Sequence, residues 1–289
     1  MNILNVISKL QKKLQHMYLK PVYMTDEIMN SYSNYPVNCG LEGNVAVVTG
    51  GGSGIGYAIT KQLLSQGCEV VIIGSNEEKL KNAVVRLSGN VKYYKWDLNN
   101  YENIEEKYTE IVNLLSNREI DIWINCHGMY SQHDNKRAFR NVPVEDMARE
   151  MRLNYESISA LSEYIAIKMK ESNNGKLKHI LNVSSIVANT KSGVYVPYGL
   201  SKSAIISKTK ELARQYAESN VVINAILPGT VATGFIWNIN EQTNIAYSAN
   251  ILKRFIFPHE IAVASLMMVS KYSRGLNGAI ITASACERI

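Results

Sequence analysis

Asn44-Val-Ala-Val-Val-Thr-Gly-Gly-Gly-Ser-Gly-Ile-Gly56 is the stretch on which the fold of this chain turns. Val45 to Thr49 reads as a short buried strand, and the glycine-rich run from Gly50 to Gly56 follows without a break. Tyr57 to Gln66 then carries Ala58, Ile59, Leu63 and Leu64 at helical spacing, and Gly67 closes the segment as a C-terminal cap would. A strand, a glycine turn and a helix N-terminus together aim backbone N–H groups and the helix dipole at an anion. A pyrophosphate suits such a place, because a Cβ on the glycines would hold it away or block the turn.

Outward from this unit, apolar strand-like runs alternate with helix-period segments: Glu69 to Ile73, Val91 to Trp96, Ile120 to Asn125, Lys178 to Val183, Val221 to Leu227 and Ala279 to Thr282. With Val45 to Thr49 these make seven strands in β-α-β order. That order implies an α/β fold with one doubly wound parallel sheet and helices on both faces. Ligands of such sheets lie beyond the strand C-termini, where the strand order reverses.

A second constellation carries chemistry. Ser185 precedes Tyr198-Gly-Leu-Ser-Lys202, and Tyr198 and Lys202 are four apart, so on a helix they share one face. A phenol is a poor base at neutral pH, and an adjacent ammonium that stabilises the phenolate would bring its pKa towards the working range.

Thr49-Gly50-x-x-x-Gly54-x-Gly56, Asn125-Cys126-His127-Gly128, Asn154, Ser185, Tyr198-x-x-x-Lys202 and Pro228-Gly229, in this order and spacing, resemble the short-chain dehydrogenase/reductase family from about Leu41 onward. The thirteen-residue step from Ser185 to Tyr198 matches the family and selects Ser185 over Ser184. The resemblance implies a Rossmann-type domain that transfers hydride between a nicotinamide dinucleotide and a carbonyl or secondary alcohol. Tyr198 would be the acid or base, Ser185 would bond the reacting oxygen, Lys202 the nicotinamide ribose, and Asn154 would hold a water that links Lys202 to solvent.

The same resemblance implies a cofactor lining of Gly50, Gly52, Ser53, Gly54, Ile55 and Gly56. Ser75 and Asn76 lie at the end of the second strand, Asp97 and Leu98 at the end of the third, and Asn125 and Gly128 after the fourth, where the family's asparagine and glycine support the sheet and let the backbone approach the adenosine side of the cofactor. Tyr198, Lys202, Pro228, Gly229, Val231 and Thr233 complete the set. Asp97 matches the family's adenine-contacting aspartate, with helix capping as the other reading. Two positions depart from the family's Asn-Asn-Ala-Gly turn: Cys126, and the bulky His127, which is expected to pack rather than to catalyse. Gly74-Ser75-Asn76 lacks the carboxylate that would bond the ribose 2′-hydroxyl of NAD and repel the extra phosphate of NADP, so NADP is favoured over NAD.

The 289 residues fit one domain, 41–289, after an N-terminal extension, 1–40. Within the extension Ile3, Ile7, Leu10, Leu14 and Met17 recur at helical spacing among Lys9, Lys12 and Lys13. Peripheral membrane contact through residues 1–20 is an alternative to a segment that caps its own domain, and is not favoured. Pro36 to Gly43 reads as the linker into the core. Residues 233–254, with Phe235, Ile236 and Trp237, read as a substrate lid or as surface helices. His133, Tyr130, Tyr195 and Trp237 are candidates to line the pocket.

Hydrophobic residues at 46% and charged residues at 19% are those of a soluble globule, and no apolar run is long enough for a membrane span. The scattered Cys39, Cys68, Cys126 and Cys286 argue for reduced thiols, a cytoplasmic setting and no metal site. The net charge of +6 is dispersed, which argues against nucleic-acid binding. Family likeness adds a homodimer or homotetramer as an expectation. A catalytically silent dinucleotide sensor or scaffold with the same fold is the reading kept beside the enzyme.

Overall fold

The computed structural model describes residues 38–130, 143–172, 174–189, 196–237 and 255–285, all within the compact unit Pro36–Ile289. The apolar repeat from Ile3 to Met17, the greater part of the lid stretch, His133, Tyr195 and Cys286 lie outside these residues.

Seven strands form one parallel sheet: β1 (Val45–Thr49), β2 (Glu69–Gly74), β3 (Val91–Lys95), β4 (Ile122–Asn125), β5 (Lys178–Val183), β6 (Val221–Pro228) and β7 (Ile280–Ala283), in spatial order 3-2-1-4-5-6-7. The strands fall where the apolar runs place them, shifted by a residue or two at their ends. β1, β4, β5 and β6 are buried along their whole length, which is why they read as continuous apolar runs rather than alternating ones.

One face is packed by α1 (Gly54–Ser65) and a late helix, Pro258–Met268, whose Ile261, Ala262 and Leu266 join Ile59 and Leu63 in a core against Val48, Ile72 and Ile124. On the same side α2 (Glu77–Arg86) contributes Leu80 and Ala83. The opposite face is packed by α3 (Ile104–Leu114), α5 (Ser157–Glu171) and α6 (Val196–Gln215), with Ile111, Leu161, Ile165 and Leu212 against Val47, Ile73, Trp123 and Ile180. α4 (Val144–Met151) runs into α5 through a wide π-type turn, Arg152–Glu156. Cys39 and Leu41 are 4% and 1% exposed, so the stretch read as a linker is built into the core. No helix among the described residues is long and apolar enough to cross a membrane.

The chain crosses from β3 back to β4, and β1 and β4 are neighbours, with Thr49 level with Asn125. A crevice therefore opens at the C-terminal ends of β1 and β4, between the glycine turn and the Asn125–Gly128 turn.

Candidate active site

The glycine turn is tight enough to need its glycines. Gly50 has φ +68° and donates from its N–H to the Ile73 carbonyl at 2.8 Å. A Cβ there would stand 2.9 Å from the Cys126 carbonyl oxygen, and one on Gly56 would stand 2.4 Å from the Gly50 carbonyl oxygen. These are backbone atoms on both sides, so no side chain can swing away to make room. At the N-cap of α1, Ser53 makes no side-chain cap bond, and the first turn carries no acidic residue. The leading N–H groups of α1 and the positive end of its dipole thus face the crevice mouth, as an anion site requires. Thr233 closes the other side: its Cγ2 lies 3.3 Å from where a Cβ on Gly54 would be. This cradle suits a pyrophosphate and the dinucleotide that carries it.

At the other end of the crevice stand the phenol and the ammonium. Tyr198 and Lys202 lie one turn apart on α6, and Ser185 stands two residues past the end of β5, where its hydroxyl is near enough to the Tyr198 phenol to favour the phenolate. The neighbouring Ser184 is only 3% exposed and donates to the Lys202 carbonyl at 2.8 Å, a use of its hydroxyl that leaves Ser185 to the site. Lys202 is 3% exposed; its Nζ donates to the Val183 carbonyl at 3.1 Å and lies 5.7 Å from the centroid of the Tyr198 ring.

Burial dominates the ionisation of both groups. It pushes the Tyr198 phenol above its ordinary value, opposed by the Ser185 hydroxyl and reinforced by the nearby Glu150 carboxylate. It brings the Lys202 ammonium down to about 8. The expected lowering of the phenol by Lys202 is not seen in the protein alone, where desolvation dominates and the ammonium is held on a carbonyl.

Asn154 sits inside the π-type turn and is fully buried. Its amide grips one residue of the turn after β4 in both directions: the Met129 N–H donates to Oδ1 at 2.7 Å, and Nδ2 donates to the Met129 carbonyl at 2.6 Å. A third contact joins Nδ2 to the Ser201 hydroxyl at 3.3 Å. Gly128 lies between these parts; a Cβ there would be 3.1 Å from Asn154 Oδ1 and 3.3 Å from Lys202 Nζ. Wide turns of this kind inside helices recur at functional sites because they re-aim a side chain.

His127 is 9% exposed and engaged on both ring nitrogens: Nδ1 lies 2.7 Å from Thr49 Oγ1 and Nε2 lies 2.8 Å from Ser157 Oγ. Burial, with the Lys202 charge adding to it, lowers its pKa to about 3, so it is neutral. Cys126 is driven the other way by burial, to about 12, and is held as a thiol.

Over Tyr198 lies an aromatic pair. Tyr130 stacks edge-on against Phe235 with centroids 4.6 Å apart, donates its hydroxyl to the Phe235 carbonyl at 2.9 Å, and stands 6.3 Å from the Tyr198 ring. Phe235 is the second residue of the short helix Gly234–Trp237 of the lid stretch. Tyr130 is thus at the site, as read from sequence, whereas the side chain of Trp237 lies outside what is described.

The other residues named from sequence lie around these groups, and Asn125 supports the sheet as expected. Asn125 turns inward, its Nδ2 donating to Asn182 Oδ1 at 2.8 Å and to Ser162 Oγ at 3.0 Å while Trp123 donates to its Oδ1, so it braces β4 against β5. Leu98 and Val231 bury their side chains in the core, leaving only backbone to face a ligand. Asn76 is the N-cap of α2, accepting from the Lys79 N–H at 2.9 Å. Asp97 is exposed and accepts from the Asn99 N–H at 3.0 Å; it stands well before α3, so the helix-capping reading does not hold. Ser75 is exposed at the end of β2, Gly52 and Ile55 lie in the glycine turn and first turn of α1, and Gly229 donates to Ala283 after Pro228 ends β6. Among the described residues no cluster of three or more metal-ligating side chains occurs.

The family model described as short chain dehydrogenase matches residues 44–244. The 3-oxoacyl-[acyl-carrier-protein] reductase of Aquifex aeolicus is 30% identical over 83% of this chain and 96% of its own length. Acetoacetyl-CoA reductase of an Acinetobacter species is 28% identical over 82% and 94%, and the 3alpha-hydroxysteroid dehydrogenase of Mediterraneibacter gnavus 29% identical over 86% and 98%. A solved short chain dehydrogenase/reductase family protein superposes with a TM-score of 0.73 at 23% identity, covering 85% of this chain and 97% of the other. Glycine cradle, serine–tyrosine–lysine group and seven-stranded order all agree with these likenesses, and the chain belongs to the short-chain dehydrogenase/reductase family of oxidoreductases.

Proposed function

We propose that this protein is an NADP(H)-favouring oxidoreductase that interconverts a carbonyl compound and its secondary alcohol, with Tyr198 as the general acid or base. The observation that carries the reading is the Tyr198 phenol, with the Ser185 hydroxyl near it and a buried ammonium one helical turn away, beside a glycine cradle at the β1/β4 crevice. When bound, the nicotinamide dinucleotide supplies or accepts the hydride.

The chain's own groups do the rest. In reduction Tyr198 gives its proton to the substrate oxygen, and in oxidation it takes one back. Ser185 donates to the same oxygen, where negative charge grows as the carbonyl is reduced. Lys202, free to leave the Val183 carbonyl for ribose hydroxyls, carries the charge that favours the phenolate once the crevice is filled. Gly50, Gly52, Ser53, Gly54, Ile55 and Gly56 hold the pyrophosphate, with Thr233 opposite. Tyr130 and Phe235 cover the phenol and exclude water.

Two features support NADP. No acidic residue occupies Gly74-Ser75-Asn76, and the next carboxylate, Glu77, is paired with Lys81 at 2.9 Å and Lys95 at 3.7 Å, which offsets its repulsion of a phosphate. Asp97 and Leu98, beyond β3, would flank the adenine. The activities for which these relatives are named all concern an oxo or hydroxyl carbon, which supports a carbonyl substrate class.

A panel of β-ketoacyl thioesters, steroid ketones and small ketones, assayed with NADPH and NADH, tests the reading. Turnover of at least one member is expected, with NADPH bound at least about tenfold more tightly than NADH, a difference of about 1.4 kcal/mol. Tight binding of either dinucleotide without turnover of any carbonyl or alcohol would instead mark a sensor, and tighter NADH binding would overturn the cofactor preference.

A further inference from the structure

We propose that His127 is a positioning residue for the reaction: its imidazole, braced between Thr49 and Ser157, fixes the Gly128–Met129 turn against Asn154 and thereby sets where the Lys202 ammonium stands. The proposal rests on the reading of Tyr198 and Lys202 as the proton-transfer pair.

The shorter contacts favour one arrangement of the hydrogens. Ser157 Oγ donates to the Leu153 carbonyl at 2.7 Å, and with its single proton used there it accepts from His127 Nε2–H. Thr49 Oγ1 accepts from the Cys126 N–H at 3.0 Å, and its own proton goes to His127 Nδ1 at 2.7 Å in preference to the Ile124 carbonyl at 3.3 Å. The ring is neutral, in one tautomer, with every donor matched to an acceptor. It links three places that the chemistry needs. Thr49 ends β1 immediately before the glycine cradle. Leu153, at the far end of the chain of bonds, immediately precedes Asn154 in the π-type turn. Gly128 follows His127 and is the close neighbour of both Asn154 and Lys202.

An alanine at position 127, as the family's turn has, could make neither ring contact. This chain has replaced a methyl group by a two-ended polar brace, and the brace spans from the cofactor turn to the helix that carries Asn154. A residue that merely filled space would be replaced equally well by any side chain of similar size.

That difference decides the test. His127→Gln can still accept from Thr49 and donate to Ser157, whereas His127→Leu keeps the bulk and loses both bonds. For His127→Leu the expected result is a kcat lowered at least about tenfold, with the KM for NADPH changed less than about threefold. The pH at which kcat/KM for alcohol oxidation reaches half its maximum should rise by about half a unit or more, because a displaced Lys202 stabilises the phenolate less. His127→Gln should recover kcat to within about threefold of the parent. Equal kcat and superimposable pH profiles for the Leu and Gln variants would overturn the proposal, whatever their melting temperatures. Should His127→Leu fail to fold, Ser157→Ala removes only the far anchor; it should lower kcat and raise the same half-maximal pH, and an unchanged profile would equally overturn the proposal. The pH dependence of NADPH affinity needs no turnover. If the parent binds NADPH and reduces nothing, the enzyme reading fails, while a displaced pH dependence of affinity in His127→Leu would still show the brace acting on Lys202, and an unchanged one would refute it.

Discussion

Desolvation sets the behaviour of Lys202 and His127 at the site, and each gives a pH dependence with a definite sign. Lys202 has a folded pKa near 8 against an ordinary 10.5, so below about pH 8 the fold bears a buried charge that the unfolded chain leaves in water. Stability should rise as pH climbs from 8 towards 10.5. Lys202→Met should then raise the stability of the cofactor-free protein at pH 7 by on the order of 3 kcal/mol, with the gap closing above pH 10. Dinucleotide affinity should fall in the same variant, and urea melts with fluorescence titration read both. His127, neutral down to about 3, gives a dependence of the same sign in a lower window, between about pH 6.5 and 3. Below pH 6.5 the unfolded chain takes up the proton that the folded one refuses, so stability is lost on acidification by up to about 1.4 kcal/mol per pH unit. His179, lowered to about 4 by burial, acts in the same direction. His127→Gln should make the decline in melting temperature between pH 6.5 and 4 shallower; an unchanged slope would contradict the buried-neutral assignment. At this scale the sequence exposes residue type and spacing, hence Ser185, Tyr198 and Lys202. It does not expose which partners a buried ring finds, and the two-ended use of His127 becomes visible only when β1 and α5 are brought together.

The elements around the site differ in how far they can be read in advance. The glycine turn is legible because a tight strand-to-helix connection restricts side chains locally. Gly56→Ala puts a methyl group onto the Gly50 carbonyl, and the expected outcome is NADPH affinity reduced at least about tenfold with the sheet intact by circular dichroism. Unchanged affinity would mean that the cradle does not hold the phosphates. Arg152–Glu156 is the counter-example. Leu153-Asn154-Tyr155 has no glycine, proline or break in periodicity to mark a π-type turn; the turn arises from tertiary contacts, with Asn154 fastened to Met129 and Arg152 donating to the Asn99 carbonyl at 2.8 Å. The clasp of Tyr130 over Phe235 is likewise a meeting of distant segments. Phe235→Ala removes one wall of that aromatic cover, apolar packing against the Tyr130 and Tyr198 rings, and should raise the substrate KM more than it lowers kcat. An equal loss in kcat and kcat/KM would place Phe235 in the transition-state machinery.

At the scale of the whole molecule, the sheet order follows from a few rules that the sequence satisfies visibly: strands buried on both faces, helices between them, and parallel crossovers that place the switch between β1 and β4. Long-range convergence is the consequence. Glycine turn, Asn125–Gly128 turn, Ser185, Tyr198 and Pro228 are far apart in sequence, yet all stand at one edge because each follows a strand end or opens the next helix. Asn76, Asp97 and Leu98 lie further out over β2 and β3, where the adenosine half of a dinucleotide would reach. Strand identity, this common edge and the supporting role of Asn125 were legible; the packing of Cys39 and Leu41 was not, because it depends on which faces the assembled core leaves open.

The central claim, that the Tyr198 phenol transfers the proton, is tested most directly by single-turnover reduction of an accepted ketone by Tyr198→Phe loaded with NADPH. The account predicts NADPH affinity within about threefold of the parent and a reduction rate lower by at least about a thousandfold. Reduction at the parental rate by the loaded variant would contradict it.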